Sequence, residues 1–122
     1  MGSEPRREAV ERPSEGRRVD LRPVEPLLRA LEARYQPEQI WLFGSRARGD
    51  ARPGSDWDIL VVVSDSTDDA DLSPLVPWRL KREADVRADI VMYRRSEFLA
   101  DRTVVNTLPF EVSRDGLLIH ER

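Results

Sequence analysis

Apolar residues recur along the chain at two different spacings, and these spacings predict its helices and strands. Between residues 24 and 35 they return every three or four positions, which is typical of a helix with one buried stripe. Shorter apolar runs rich in β-branched and aromatic residues predict strands. Helices are predicted at 24–35, 45–48, 74–86 and 96–114 (with a break at Pro109), and strands at 40–43, 57–63, 88–93 and 117–119.

The order of these elements predicts the fold class. Helices and strands alternate, so we expect an α/β (α+β) domain with a small mixed sheet and helices mainly on one face. The run 57–63 is apolar on both faces, which favours a central strand. A chain of 122 residues is long enough for one such core but not for two.

The N-terminal segment differs in composition from the rest of the chain. Residues 1–20 are charged, contain proline and include almost no large apolar side chains. Burial of so little apolar surface does not offset the entropy lost on ordering, so we expect a disordered extension at 1–20. The folded domain is then predicted at 21–122.

Charge and composition narrow the class of protein. The net charge of -3 argues against a protein that coats nucleic acid, and a nucleic-acid partner is not expected. The chain has no cysteine for a disulfide or a thiolate nucleophile. The longest uninterrupted apolar run, 59–63, is too short to span a bilayer, and no signal-peptide pattern is seen. We therefore expect a cytoplasmic protein without a membrane partner.

Three aspartates are the first candidates for chemistry. Asp56 and Asp58 are two positions apart at the start of a predicted strand, so their side chains point to the same face. If the strand that carries Asp89 is adjacent, three carboxylates converge. Such a cluster repels itself unless cations lie between its members, and oxygen ligands suit Mg²⁺ or Mn²⁺. The alternative is that Asp56 and Asp58 only solubilise the start of a strand.

A glycine-serine pair precedes the aspartates. Gly44 permits close approach of the backbone to a phosphate, and Ser45 opens a short helix whose N–H groups favour an oxyanion. Arg46 and Arg48 can neutralise charge on a triphosphate or on the departing pyrophosphate. The alternative roles are a helix N-cap for Ser45 and a solvated helix face for the two arginines.

Gly44-Ser45, ten further residues, Asp56-Trp57-Asp58 and the later Asp89 together resemble the DNA polymerase β-type nucleotidyltransferase superfamily. The string GSRARGDARPGSDWDILVV resembles in particular its minimal nucleotidyltransferase (MNT) branch. The resemblance implies the polymerase β-type nucleotidyltransferase fold, ATP as substrate and two divalent ions. It implies that Asp56 and Asp58 hold both ions, and that Asp89 binds the catalytic ion.

The resemblance also implies a partner. MNT proteins are often encoded beside a HEPN-domain ribonuclease, on which they act as antitoxins by transferring AMP from ATP to a tyrosine of the toxin. Two other functions stay open: neutralisation of a toxin by binding alone, and transfer to a small hydroxyl compound such as an antibiotic. The chain has no length left for an acceptor domain, so we expect the acceptor to dock on an open cleft. Either a homodimer or a hetero-oligomer is compatible with the sequence.

Overall fold

The computed structural model describes residues 9–12 and 17–122, with side chains from Val19 onward. Within these residues the strands are β1 (Ala9–Arg12), β2 (Arg17–Asp20), β3 (Gln39–Phe43), β4 (Trp57–Val63), β5 (Ala88–Arg94) and β6 (Leu117–Glu121). The α-helices are α1 (Glu25–Tyr35), α2 (Gly44–Arg48), α3 (Leu75–Glu83), α4 (Arg95–Asp101) and α5 (Leu108–Asp115). Short 3-10 turns occupy Arg22–Val24 and Asp69–Leu72.

A mixed sheet forms the centre of the described chain. Its four strands follow the order β5-β4-β3-β6. Strand β3 pairs antiparallel with both β4 and β6, whereas β4 and β5 pair in parallel. A parallel pair needs a crossover connection, and α3 lies within it. The predicted α/β class and the central position of 57–63 are confirmed.

Helices pack on both faces of this sheet. In β4, Ile59, Val61 and Val63 join the larger core cluster, which includes the buried leucines of α1. The intervening Leu60 and Val62 belong to a second cluster with Phe98 of α4 and Val112 of α5. Because successive strand residues point to opposite faces, both faces of β4 are buried. Helices therefore pack on both faces of the sheet, whereas the sequence predicts them mainly on one face.

The stretch predicted as one helix at 96–114 is two helices. Its break lies at residues 102–107, and Pro109 stands in the first turn of α5. The position of the predicted break is wrong, because proline has no N–H to lose in a first turn and suits that position. Asn106 adopts a left-handed φ of 71°, and the Thr107 hydroxyl then caps α5.

Strands β1 and β2 lie within the segment predicted to be disordered. They pair antiparallel, with Ala9 opposite Asp20 and Val10 opposite Val19. Val19 and Leu21 are buried in the larger core cluster. Residues 9–12 and 17–20 are strands within the predicted extension, and 1–8 and 13–16 lie outside the described residues. Disorder of the extension therefore stays a prediction. The longest helix in the described ranges has 11 residues, too few to cross a membrane.

Candidate active site

The site begins where β3 turns into α2. Gly44 has a left-handed φ of 74°, and a Cβ on it would collide with the Oδ2 atom of Asp58. Glycine is therefore required there both by the backbone conformation and by the approach of a carboxylate. Ser45 follows in the first turn of α2. The turn predicted to bind phosphate therefore lies beside Asp58.

The parallel strands bring two aspartates together. Asp58 of β4 is the register partner of Asp89 of β5. Trp57 and Ile59 point into the larger core cluster, so Asp58 leaves β4 on the opposite face. The structure therefore brings Asp58 and Asp89 together as the sequence predicts.

The two other predicted carboxylates act on the pKa of Asp58. Burial raises the pKa of Asp58, and the negative charges of Asp89 and Asp56 raise it further. The Arg48 guanidinium opposes this shift. A carboxylate disfavoured by its neighbours is one that an added cation would stabilise.

Within the described part of the chain, Asp56 differs from the other two carboxylates in having an arginine partner. It lies just before β4, is exposed, and forms an ion pair of 3.5 Å with Nε of Arg87. Across residues 9–12 and 17–122, no three acidic or histidine side chains are already arranged to hold a metal ion. The carboxylate oxygens of the three aspartates are nevertheless the type of ligand that a hard divalent cation prefers. The ion pair with Arg87 engages Oδ1 of Asp56, and the carboxylate has a second oxygen, Oδ2, to offer a cation.

Two clefts meet at Asp89. One, of about 560 Å³, extends over Asp58, Phe43 and Leu108. The other, of about 350 Å³, extends over Asp56 and Arg87. Both clefts are lined by Asp89 and by two residues of α3, Trp78 and Lys81. Asp89 is therefore accessible from both clefts.

Trp78, Lys81 and Arg87 were not singled out for this site from the sequence. Trp78 is 45% exposed, and Lys81 Nζ donates a hydrogen bond of 2.8 Å to the Ala88 carbonyl. Lys81 is the single lysine of the chain. That fact does not by itself predict that Lys81 lies beside the aspartates. Arg87 lies two residues before Asp89, but its ion pair depends on the adjacency of β4 and β5.

The two predicted phosphate-binding arginines have different positions. Arg48 is exposed, lies 3.3 Å from an Asp50 oxygen, and is close enough to Asp58 to influence its pKa. Arg46 donates a hydrogen bond of 2.8 Å to the Ser55 carbonyl and lies over the Trp57 ring. Since Trp57 and Asp58 leave β4 on opposite faces, this position does not support the predicted phosphate contact of Arg46.

Comparison with known proteins gives a consistent family and fold. The family described as "Nucleotidyltransferase domain" matches residues 24–110. A structure from Sulfolobus solfataricus, assigned as a nucleotidyltransferase, is 25% identical, with a TM-score of 0.57 over 84% of this chain and 80% of that one. No curated protein sequence matches the chain significantly.

Two further structures share the fold. A toxin–antitoxin complex with AMP-PNP is 22% identical, with a TM-score of 0.54 over 80% of this chain and 73% of that one. The complex of a tri-AMPylated Shewanella oneidensis HEPN toxin with its MNT antitoxin is 20% identical, with a TM-score of 0.50 over 82% and 71%. The matched family segment contains Gly44 and all three aspartates. This chain therefore belongs to the nucleotidyltransferase domain family and is a nucleotidyltransferase.

Proposed function

We propose that this enzyme transfers AMP from ATP to a tyrosine hydroxyl of a HEPN-domain toxin and thereby acts as its antitoxin. The observation that carries the proposal is the register of Asp58 with Asp89 beside the Gly44 turn. The fold shared with the two toxin–antitoxin structures supports the choice of acceptor. The open clefts at Asp89 leave room for a side chain presented by a partner protein.

In this proposal the aspartates hold divalent ions. Asp56 and Asp58 bind two Mg²⁺ ions, for which Mn²⁺ can substitute, and Asp89 binds the catalytic one. Bound cations supply neutralisation of phosphate charge, which is most of what phosphoryl transfer requires of a protein. Gly44 and Ser45 present the N-terminal turn of α2 to the phosphates. Arg48, which is close enough to Asp58 to lower its pKa, adds positive charge there in this proposal.

The reaction forms one bond and breaks one. The tyrosine oxygen attacks the α-phosphorus of ATP, the bond from that phosphorus to the α,β-bridging oxygen breaks, and pyrophosphate leaves. A phenol with an ordinary pKa of about 10 has to lose its proton during attack. Asp89 is exposed at the junction of the two clefts, and in our proposal its carboxylate accepts that proton.

The test combines the purified protein with Mg²⁺, labelled ATP and the HEPN protein encoded by the adjacent gene. Label on that partner and its intact mass are followed with wild type, Asp56→Asn and Asp68→Asn. Asp68 is an exposed carboxylate in the loop after β4, away from the three aspartates, so its variant is the matched control. We expect AMP-sized mass steps with wild type and Asp68→Asn, and none with Asp56→Asn.

A stable complex without any mass change would contradict the proposal and favour neutralisation by binding alone. Transfer to a small hydroxyl compound, with the partner protein unmodified, would instead show an enzyme of the antibiotic-modifying kind. Equal labelling by wild type and Asp56→Asn would show that the Asp56 carboxylate is not needed for the reaction.

A further inference from the structure

We propose that Arg46 is a positioning residue that holds Asp56 in place for its ligand. This inference rests on the proposed function for the role of Asp56 as a metal ligand. It replaces the direct phosphate contact that the sequence predicts for Arg46. The argument comes from the residues that flank Asp56 on either side.

Arg46 contacts both neighbours of Asp56. Its Nη2 donates a hydrogen bond of 2.8 Å to the Ser55 carbonyl, and its guanidinium carbon lies 4.5 Å from the centre of the Trp57 ring. Its Nε atom is buried and has no hydrogen-bond partner among the described residues. Arg46 is also not among the residues that line either cleft at Asp89.

The loop before Asp56 needs such a contact. Gly49 and Gly54 both adopt left-handed φ values, 84° and 85°, and glycine restricts a backbone less than any other residue. Ser55 hydrogen-bonds to Arg52 through both its backbone N–H and its hydroxyl, so these bonds stay within the loop. Arg46 links this loop to α2, and therefore to the turn that contains Gly44. Through this link the positions of Asp56 and the phosphate turn are coupled.

The chemistry of the contact requires arginine. A planar guanidinium stacks on an indole ring with its face and donates hydrogen bonds from its edge at the same time. A lysine ammonium retains the charge but cannot satisfy both contacts in that geometry. Replacing Arg46 by lysine should therefore release the loop while retaining a positive charge on α2.

The test measures ion binding directly. Binding of Mn²⁺ to the full chain is followed by electron paramagnetic resonance, and the KM for ATP is measured separately. The variants are Arg46→Lys and Arg46→Met, with Asp56→Asn as reference. Arg114→Met is the matched control, because Arg114 also lies over an aromatic ring, that of Phe110, at 5.3 Å in α5. Thermal unfolding of each variant shows whether it is folded.

We expect both Arg46 variants to weaken Mn²⁺ binding by about 10-fold, as for residues that orient metal ligands. Arg114→Met should bind Mn²⁺ like wild type. If Arg46→Met does not fold, Arg46→Lys decides the matter.

Wild-type Mn²⁺ affinity together with a raised KM for ATP in the Arg46 variants would overturn the inference in favour of a phosphate contact. Weakened Mn²⁺ binding in Arg114→Met to the same degree would show a general effect of losing an arginine, and would also overturn it. If Asp56→Asn itself binds Mn²⁺ normally, the failure lies in the proposed metal site.

Discussion

Gly44 shows how a single residue constrains the site. Replacement by alanine adds a Cβ in a left-handed conformation, which costs about 1–2 kcal/mol, and also places that Cβ against the Asp58 carboxylate. We expect Gly44→Ala to lose nucleotidyl transfer and to unfold at a lower temperature.

Gly54→Ala is the matched control for this prediction. Gly54 has a similar φ of 85°, but a Cβ there meets no atom within 4 Å. Gly54→Ala should therefore be destabilised by a similar amount, because alanine is also strained at this φ. It should nevertheless retain nucleotidyl-transfer activity. Equal loss of activity in the two variants would mean that the contact with Asp58 is unimportant.

Asp58 should make stability depend on pH. Its pKa is raised by burial and by its acidic neighbours, so the native state holds its proton to a higher pH than the unfolded chain does. The free energy of unfolding therefore falls as the pH rises from the ordinary pKa of 3.8 through the raised folded-state pKa of Asp58. Below pH 3.8 Asp58 causes no such loss.

Asp58→Asn should therefore be more stable than wild type at pH 7, with the difference disappearing toward pH 3. Urea unfolding followed by tryptophan fluorescence at several pH values measures this. A variant that is less stable than wild type at pH 7 would mean that the Asp58 carboxylate is stabilised by its surroundings.

At the scale of elements, the connection from α4 to α5 depends on one hydroxyl. Thr107 Oγ1 accepts a hydrogen bond of 3.3 Å from the Phe110 N–H, and it lies 2.8 Å from the carbonyls of Asp101 and Val104. Thr107→Ala removes the cap of α5 and should lower the free energy of unfolding by roughly 1–2 kcal/mol.

Thr103→Ala offers the comparison, because Thr103 is an exposed threonine of the same connection. It should change the free energy of unfolding by less than about 0.5 kcal/mol. Chemical denaturation of both variants checks the pair. Equal changes would assign the effect to threonine content and not to the cap.

Most elements could be predicted from the sequence, since strands and helices have different apolar periods. The predicted helix break is misplaced because proline ends helices but also suits a first helical turn, which is its position at Pro109. The opposite positions of Arg46 and Arg48 had a signal in the sequence. At 3.6 residues per turn, side chains two positions apart on a helix point roughly 200° apart.

At the scale of the molecule, strand alternation predicts that Asp56 and Asp58 share a face, although Asp56 lies just before β4 and reaches Asp58 through its charge. The adjacency of β4 and β5, on which the position of Asp89 depends, needs the sheet order, and no local pattern specifies that order. The same holds for the ion pair of Asp56 with Arg87, which joins residues before the two strands. The periodicity of a single helix or strand predicts which way a side chain points. The order of strands in the sheet determines which residues that side chain contacts.

The parallel pairing of Asp58 with Asp89 has a consequence for how the sequence can vary. A shift of one residue between these strands would keep a ladder of backbone hydrogen bonds but turn Asp89 toward the other face. Insertions in the α3 crossover are therefore tolerated only where they leave the strand alignment unchanged. During evolution, residues can therefore be added to the loops of this crossover. A single residue inserted at the start of β5 would instead leave a folded but inactive protein.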